Sequence, residues 1–132
     1  MKLNESLLYS YSNEVAGAFI IRLKNNALSE QLAERCAHSC NQVGMPFEFW
    51  NAFDGTSGEI LVPEEHQNQS WLKLLKFTSY KMTTSEIACA ISHISLWIKC
   101  IELDAPIAIL EHDAVLQAPY KRHAFRNSGC VS

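Results

Sequence analysis

The stretch Pro106-Ile-Ala-Ile-Leu-Glu-His-Asp-Ala-Val-Leu116 decides the fold of this chain. Its four apolar residues at positions 107–110 predict a buried strand, and two acids follow the strand. Alternate side chains of an extended segment point the same way, so Glu111 and Asp113 are predicted to share a face, with His112 turned aside. Such a carboxylate pair favours a bound divalent cation that carries a phosphorylated ligand. Acids that merely end a strand at the surface are the alternative interpretation.

The segment upstream of this strand predicts the longest helix, over residues 85–103. Thr83 and Glu86 have the spacing of a capping box, which predicts where the helix begins. Isoleucines four and three residues apart then form a continuous stripe from Ile87 to Ile101. Pro106 ends the helix, because the residue before a proline is disfavoured in helical geometry.

The first half of the chain predicts a strand over 15–23, a helix over 29–43 with Ser29 as N-cap, and a strand over 47–53. A short helix is predicted over 71–80. The apolar stripe of the first helix is predicted to comprise Leu28, Leu32, Cys36 and Cys40.

Strands that alternate with helices predict an α/β fold, in which crossover helices join parallel strands. Ligands of such folds bind at the carboxyl ends of the strands. Lys24-Asn25, Asp54-Gly55 and the acids Glu111 and Asp113 all follow predicted strands. The three strand ends are therefore predicted to form one site.

Length and composition narrow the possible classes of protein. The 132 residues suffice for one domain, 1–132, with 48% apolar and 19% charged residues. The net charge of −3, without a cluster of basic residues, argues against a nucleic-acid partner. We find no apolar run long enough for a transmembrane segment and no signal peptide, and expect a cytoplasmic protein. Five cysteines without framework spacing then predict reduced thiols.

Two of these segments together resemble glycosyltransferase family 25. The stretch Ser85-Glu-Ile-Ala-Cys-Ala-Ile-Ser-His-Ile-Ser-Leu-Trp97 resembles the family's helix motif, and Ile107-Ala-Ile-Leu-Glu-His-Asp-Ala-Val-Leu116 resembles its acidic strand. Upstream, Ala52-Phe-Asp-Gly55 matches an A-x-D-G turn of the family. The resemblance extends from about Phe19 to Leu116.

The resemblance implies a nucleotide-diphospho-sugar transferase of the GT-A-like kind, with a Rossmann-type sheet and flanking helices, of which this chain would form the N-terminal half. It implies transfer of a hexose from a UDP-sugar donor to a cell-surface glycan acceptor, such as lipopolysaccharide, with Mn²⁺ (or Mg²⁺) as cofactor. Asp113 and Glu111 would bind the metal or the donor, and Asp54 would lie near the nucleotide. Hard oxygen ligands suit these cations. The catalytic base is not identified.

Several positions depart from the family pattern. His112 replaces the middle acid of the triplet, and Arg22 replaces an asparagine of the first strand. For Ser92 and His93, we favour a packing role over contact with a ligand. The short segment after the acidic strand predicts a truncated domain with an uncovered sheet edge, and hence a homodimer.

These departures leave two alternatives to an active transferase. The first is a non-catalytic, truncated relative that binds a nucleotide sugar or serves in assembly. The second is an unrelated metal-dependent phosphohydrolase that uses the acids of the E-x-D motif.

Overall fold

The computed structural model describes residues 15–75 and 81–118. Its three strands form one parallel sheet in the order β2-β1-β3, so the α/β prediction is confirmed. The elements are, in chain order, β1 (Ala18–Arg22), α1 (Ala27–Gln42), β2 (Phe47–Asn51), two 3₁₀ helices (Glu64–His66 and Ser70–Leu74), α2 (Thr84–Leu103) and β3 (Ala108–Glu111).

Helix α1 begins two residues earlier than the sequence predicts. Asn26 is its N-cap, and the Asn26 side chain accepts a hydrogen bond from the backbone N–H of Ser29 at 2.9 Å. Ser29 is therefore not the cap: it lies in the first turn, where its side chain is buried. The shift matters for function, because it leaves the Ser29 hydroxyl to bond other segments of the chain.

The buried face of α1 packs on one side of the sheet. Leu28 was predicted to belong to this face, but it is 64% exposed. The prediction is wrong for Leu28 because the buried positions of α1 recur at helical spacing from Ser29. The residue before Ser29 therefore lies outside the buried face. The hydrophobic cluster joins Ile20 of β1 to Ala33, Cys36, Ala37 and Cys40.

Helix α2 confirms its predicted start and corrects its predicted buried face. The capping box is present: Thr83 Oγ1 accepts from the N–H of Glu86 at 3.1 Å, and Glu86 Oε1 accepts from the N–H of Thr83 at 3.4 Å. The isoleucine stripe coincides with the buried face only in its first half: Ile91 is 6% exposed and Ile87 packs against the same core cluster, whereas Ile101 is 78% exposed. Ser92 and Ser95 also face the protein, because both hydroxyls bond groups of the β2 segment.

The segment between β2 and α2 forms a second core. His66 is only 6% exposed and stacks on Phe53, with ring centroids 5.4 Å apart and an interplanar angle of 16°. Burial lowers the pKa of His66, and the negative charge of Glu65 raises it by a smaller amount. The helix predicted over 71–80 is the short 3₁₀ helix Ser70–Leu74, and residues 76–80 lie outside the described residues.

Candidate functional site

A cleft of about 210 Å³ lies at the carboxyl ends of the three strands. Its walls are the ends of β1, β2 and β3 and the first half of α2. Of the polar strand ends predicted to form one site, Asp54, Gly55 and Glu111 line this cleft, whereas Lys24, Asn25 and Asp113 are not among its lining residues. Four residues of α2 complete the wall: Ser85, Cys89, Ser92 and His93.

Close backbone packing joins the turn after β2 to α2. A Cβ atom on Gly55 would lie 2.3 Å from the carbonyl oxygen of Thr84 and 2.9 Å from the N atom of Ser85. Only glycine allows this approach. Ser92 fixes the same junction, because its Oγ accepts from the N–H of Phe53 at 2.8 Å and donates to the carbonyl of Ala88 at 2.9 Å. The packing role predicted for Ser92 is confirmed.

Asp54 lies on the cleft wall, and one of its carboxylate oxygens stabilises the turn. Asp54 Oδ1 accepts from the backbone N–H of Thr56 at 2.9 Å and from Thr56 Oγ1 at 2.7 Å. Its backbone also pairs with Leu61 in an isolated bridge. The structure thus brings Asp54 to the cleft with one oxygen already engaged, and its contact with a nucleotide stays a prediction.

The structure separates the two acids that follow β3. The strand ends at Glu111, and a turn begins at His112, in which the N–H of Ala114 donates to the carbonyl of Glu111 at 3.0 Å. Strand alternation therefore does not extend to Asp113, and the predicted shared face is wrong. Glu111 and His112 line the cleft, whereas Asp113 is not among the lining residues, and its backbone oxygen accepts from Arg35 Nη2 at 3.5 Å.

His112 is held at the cleft by a residue from the other half of the chain. Its Nδ1 lies 2.7 Å from Ser29 Oγ, which also accepts from the N–H of Leu23 at 2.8 Å. When the Ser29 hydroxyl donates to Nδ1, the proton of the ring lies on Nε2, which is then left as a donor. The residue that replaces the family's middle acid is thus part of the cleft, not turned aside.

His93, for which the sequence predicted a packing role, lies on the opposite wall of the cleft. Its Nδ1 is 3.0 Å from the carbonyl oxygen of Cys89, which can only accept, so Nδ1 carries the proton. The Nε2 atom lies 4.0 Å from Glu111 Oε1, whose side chain is 63% exposed. Burial, together with the charge of Glu111, raises the pKa of the Cys89 thiol. The family helix motif was the signal that pointed to His93.

Arg22 lines the cleft, although the sequence marks it only as a departure from the asparagine of the family's first strand. It ends β1 and lines the cleft, and its guanidinium carbon lies 4.0 Å from the centroid of the Phe49 ring. Its Nε is buried, and no described residue offers it a hydrogen bond. The available signal was a charged residue near the end of an otherwise apolar strand.

The described residues do not form a cage for a metal ion. Within 15–75 and 81–118, no three histidine, cysteine or acidic side chains come together as a set of ligands. Glu111 and Asp54 line the cleft, but Asp113, the acid predicted as the first metal ligand, does not. The donor set present therefore does not fit the metal site expected from the sequence.

Comparison with known proteins agrees with the resemblance noted in the sequence. Residues 16–126 match the family described as "Glycosyltransferase family 25 (LPS biosynthesis protein)". No curated protein and no solved structure matches the chain. Neither helix of the described part combines the length and apolar character of a membrane span. Since the match covers most of the sequence and includes every strand and helix that forms the cleft, the chain belongs to glycosyltransferase family 25.

Proposed function

We propose that the cleft binds a UDP-hexose, from which the sugar is transferred to a lipopolysaccharide-type glycan acceptor. One observation carries this proposal: the carboxyl ends of all three parallel strands and the first half of α2 line a single cleft in a chain of family 25. Polar groups capable of hydrogen bonding to a nucleotide sugar lie on several walls, and ligands of open α/β sheets bind at this edge.

The chemistry requires groups that stabilise a departing diphosphate, because negative charge accumulates on its oxygens as the bond to the sugar breaks. In this chain, the contact between Ser29 Oγ and Nδ1 holds His112 at the cleft, and Nε2 of His112 is our candidate donor to the diphosphate. His93 and Glu111 lie near each other across the cleft and are candidates to contact the sugar or the acceptor hydroxyl. We assign a glycan acceptor because the matching family is described as an LPS biosynthesis protein.

Dependence of the hexose-transfer step on Mn²⁺ or Mg²⁺ stays a prediction from the family resemblance. A divalent cation would neutralise charge on the departing diphosphate, and the sequence predicts Glu111 and Asp113 as its ligands, although only Glu111 lines the cleft. Self-association also stays a prediction, to be tested by sedimentation at high protein concentration.

Binding without turnover is the second candidate function. It is favoured by the position of Asp113, which lies outside the cleft lining although the family motif predicts a role for it there. An assay of hexose transfer to a lipopolysaccharide-type acceptor separates the two candidates once donor binding has been established.

Donor binding is tested by thermal unfolding in the presence of UDP and of several UDP-hexoses. A ligand that binds only the native state raises the unfolding midpoint, by mass action. We expect a rise for the wild-type protein, a smaller rise for Glu111→Gln with the UDP-hexoses but not with UDP, and a wild-type rise for the control Glu59→Gln, which alters an exposed loop residue outside the cleft. An unchanged midpoint at millimolar UDP, with and without Mn²⁺, contradicts the proposal.

A further inference from the structure

Arg22 is a cation in the cleft for which the described structure provides no counter-ion. It lines the cleft at the end of β1 and is partly buried. No carboxylate of residues 15–75 and 81–118 forms an ion pair with it, and its Nε is buried without a hydrogen-bond partner. Removing a charge from water is costly unless an opposite charge or hydrogen-bond acceptors compensate for it.

The guanidinium is also held in a defined position. Its central carbon lies 4.0 Å from the centroid of the Phe49 ring, and the Arg22 backbone is fixed because its carbonyl accepts from the N–H of Ala52 at 2.8 Å. A guanidinium that is oriented before binding loses less side-chain freedom when it contacts an anion. Its planar set of donors matches the oxygens of a phosphate group.

The acids of the cleft do not compete strongly for this cation. One oxygen of Asp54 is bonded within its own turn, and Glu111 lies beside His93. The described residues also do not form a metal cage. An anionic ligand in this cleft would therefore meet Arg22 as a fixed positive charge provided by the protein itself.

We propose that Arg22 binds the diphosphate of the donor nucleotide, so that the nucleotide binds without a divalent metal ion. This inference rests on the proposed function, because it assigns the diphosphate of the same donor to a particular side chain. The ligand chemistry is that of a nucleoside diphosphate, whose phosphate oxygens can accept hydrogen bonds from the terminal N–H groups of the guanidinium.

The first test uses the wild-type protein and compares Kd values for UDP and uridine in EDTA and in Mn²⁺. We expect UDP to bind in EDTA at least about tenfold more tightly than uridine, as expected for a charged hydrogen bond. Binding of UDP that requires Mn²⁺ overturns the role of Arg22 but leaves the proposed function standing. Absence of binding by either compound in both conditions overturns both proposals.

The second test removes the charge from Arg22. In Arg22→Gln, the preference for UDP over uridine should fall by about tenfold or more in EDTA, and Arg22→Lys should keep part of it. An equal loss for uridine and UDP would instead indicate a structural role and overturn the proposal. Lys73→Gln, which removes a charge from an exposed residue outside the cleft, should behave like the wild type.

Circular dichroism and the unfolding midpoint show whether each variant is folded. If Arg22→Gln does not fold, Arg22→Lys and the wild-type comparison in EDTA decide the question. A preference for UDP that is unchanged in Arg22→Lys and insensitive to salt concentration counts against a phosphate contact, since such contacts weaken as salt rises.

Discussion

Ser29 Oγ lies 2.7 Å from His112 Nδ1, although 83 residues separate the two in the sequence. Through this contact, the first turn of α1 positions the residue that follows β3. The same oxygen accepts from the backbone N–H of Leu23, so it also joins the end of β1 to the cleft. One buried hydroxyl thus connects two strand ends.

Replacing Ser29 with alanine should destabilise the protein and weaken donor binding. The change leaves the N–H of Leu23 without its partner and frees the His112 ring, at an expected cost of about 1–3 kcal/mol in the free energy of unfolding. Urea unfolding measures this cost. Ser57→Ala, which alters an exposed hydroxyl, is the control, and equal stability of the two variants would contradict the assigned role.

Replacing Gly55 with alanine should separate the turn after β2 from α2. The added Cβ would overlap the Thr84 carbonyl group, and such overpacking costs about 1–3 kcal/mol. Gly44→Ala is the matched control: its φ of +73° strains a side chain, but no atom lies within 4 Å of the added Cβ. Both variants should lose stability, and only Gly55→Ala should also lose UDP affinity. Calorimetric titration distinguishes them.

The stability of the protein should fall in mild acid because of His66. Burial lowers the pKa of this residue below its ordinary value of 6.5, so the unfolded state binds a proton more readily than the folded state. The stabilising contribution of His66 to the free energy of unfolding is therefore fully present above pH 6.5 and is lost as the pH falls through the lowered folded-state pKa. In His66→Phe, the loss of unfolding free energy between pH 7.5 and pH 5 should be smaller than in the wild type.

The control for this prediction is His38→Gln, which alters an exposed histidine of α1 and should keep the wild-type dependence on pH. A wild-type acid dependence in His66→Phe would show that the stability loss arises from other groups.

Alkylation of cysteines should report on both the core and the cleft. Burial, reinforced by Cys40, raises the pKa of Cys36 to about 12, so this thiol should remain unmodified in the folded protein at neutral pH. Cys89 is exposed on the cleft wall and should be modified faster than the buried Cys36 and Cys40, although its raised pKa slows the reaction. UDP should protect Cys89. Mass spectrometry after a timed reaction with iodoacetamide measures the modification of each cysteine. If Cys89 is modified at the same rate with and without UDP, the proposed position of the donor in the cleft is contradicted.

The sequence by itself determined the parallel α/β arrangement and the start of α2. Local interactions decide these features: the capping box needs only Thr83 and Glu86, three residues apart, and strands that alternate with helices leave few ways to bury their apolar faces. The same local patterns placed Asp54 and Glu111 at one cleft, because parallel strands end at one edge of the sheet.

Only the tertiary structure decided which side chains enter the cleft. The turn that begins at His112 removes Asp113 from the cleft wall, and the long-range bond to Ser29 brings His112 there instead. The role proposed for Arg22 likewise depends on its contact with Phe49 on the neighbouring strand and on the absence of a counter-ion among the described residues. Such contacts depend on where a strand ends and on which distant segment packs against it, and residue spacing along one segment carries no information about either.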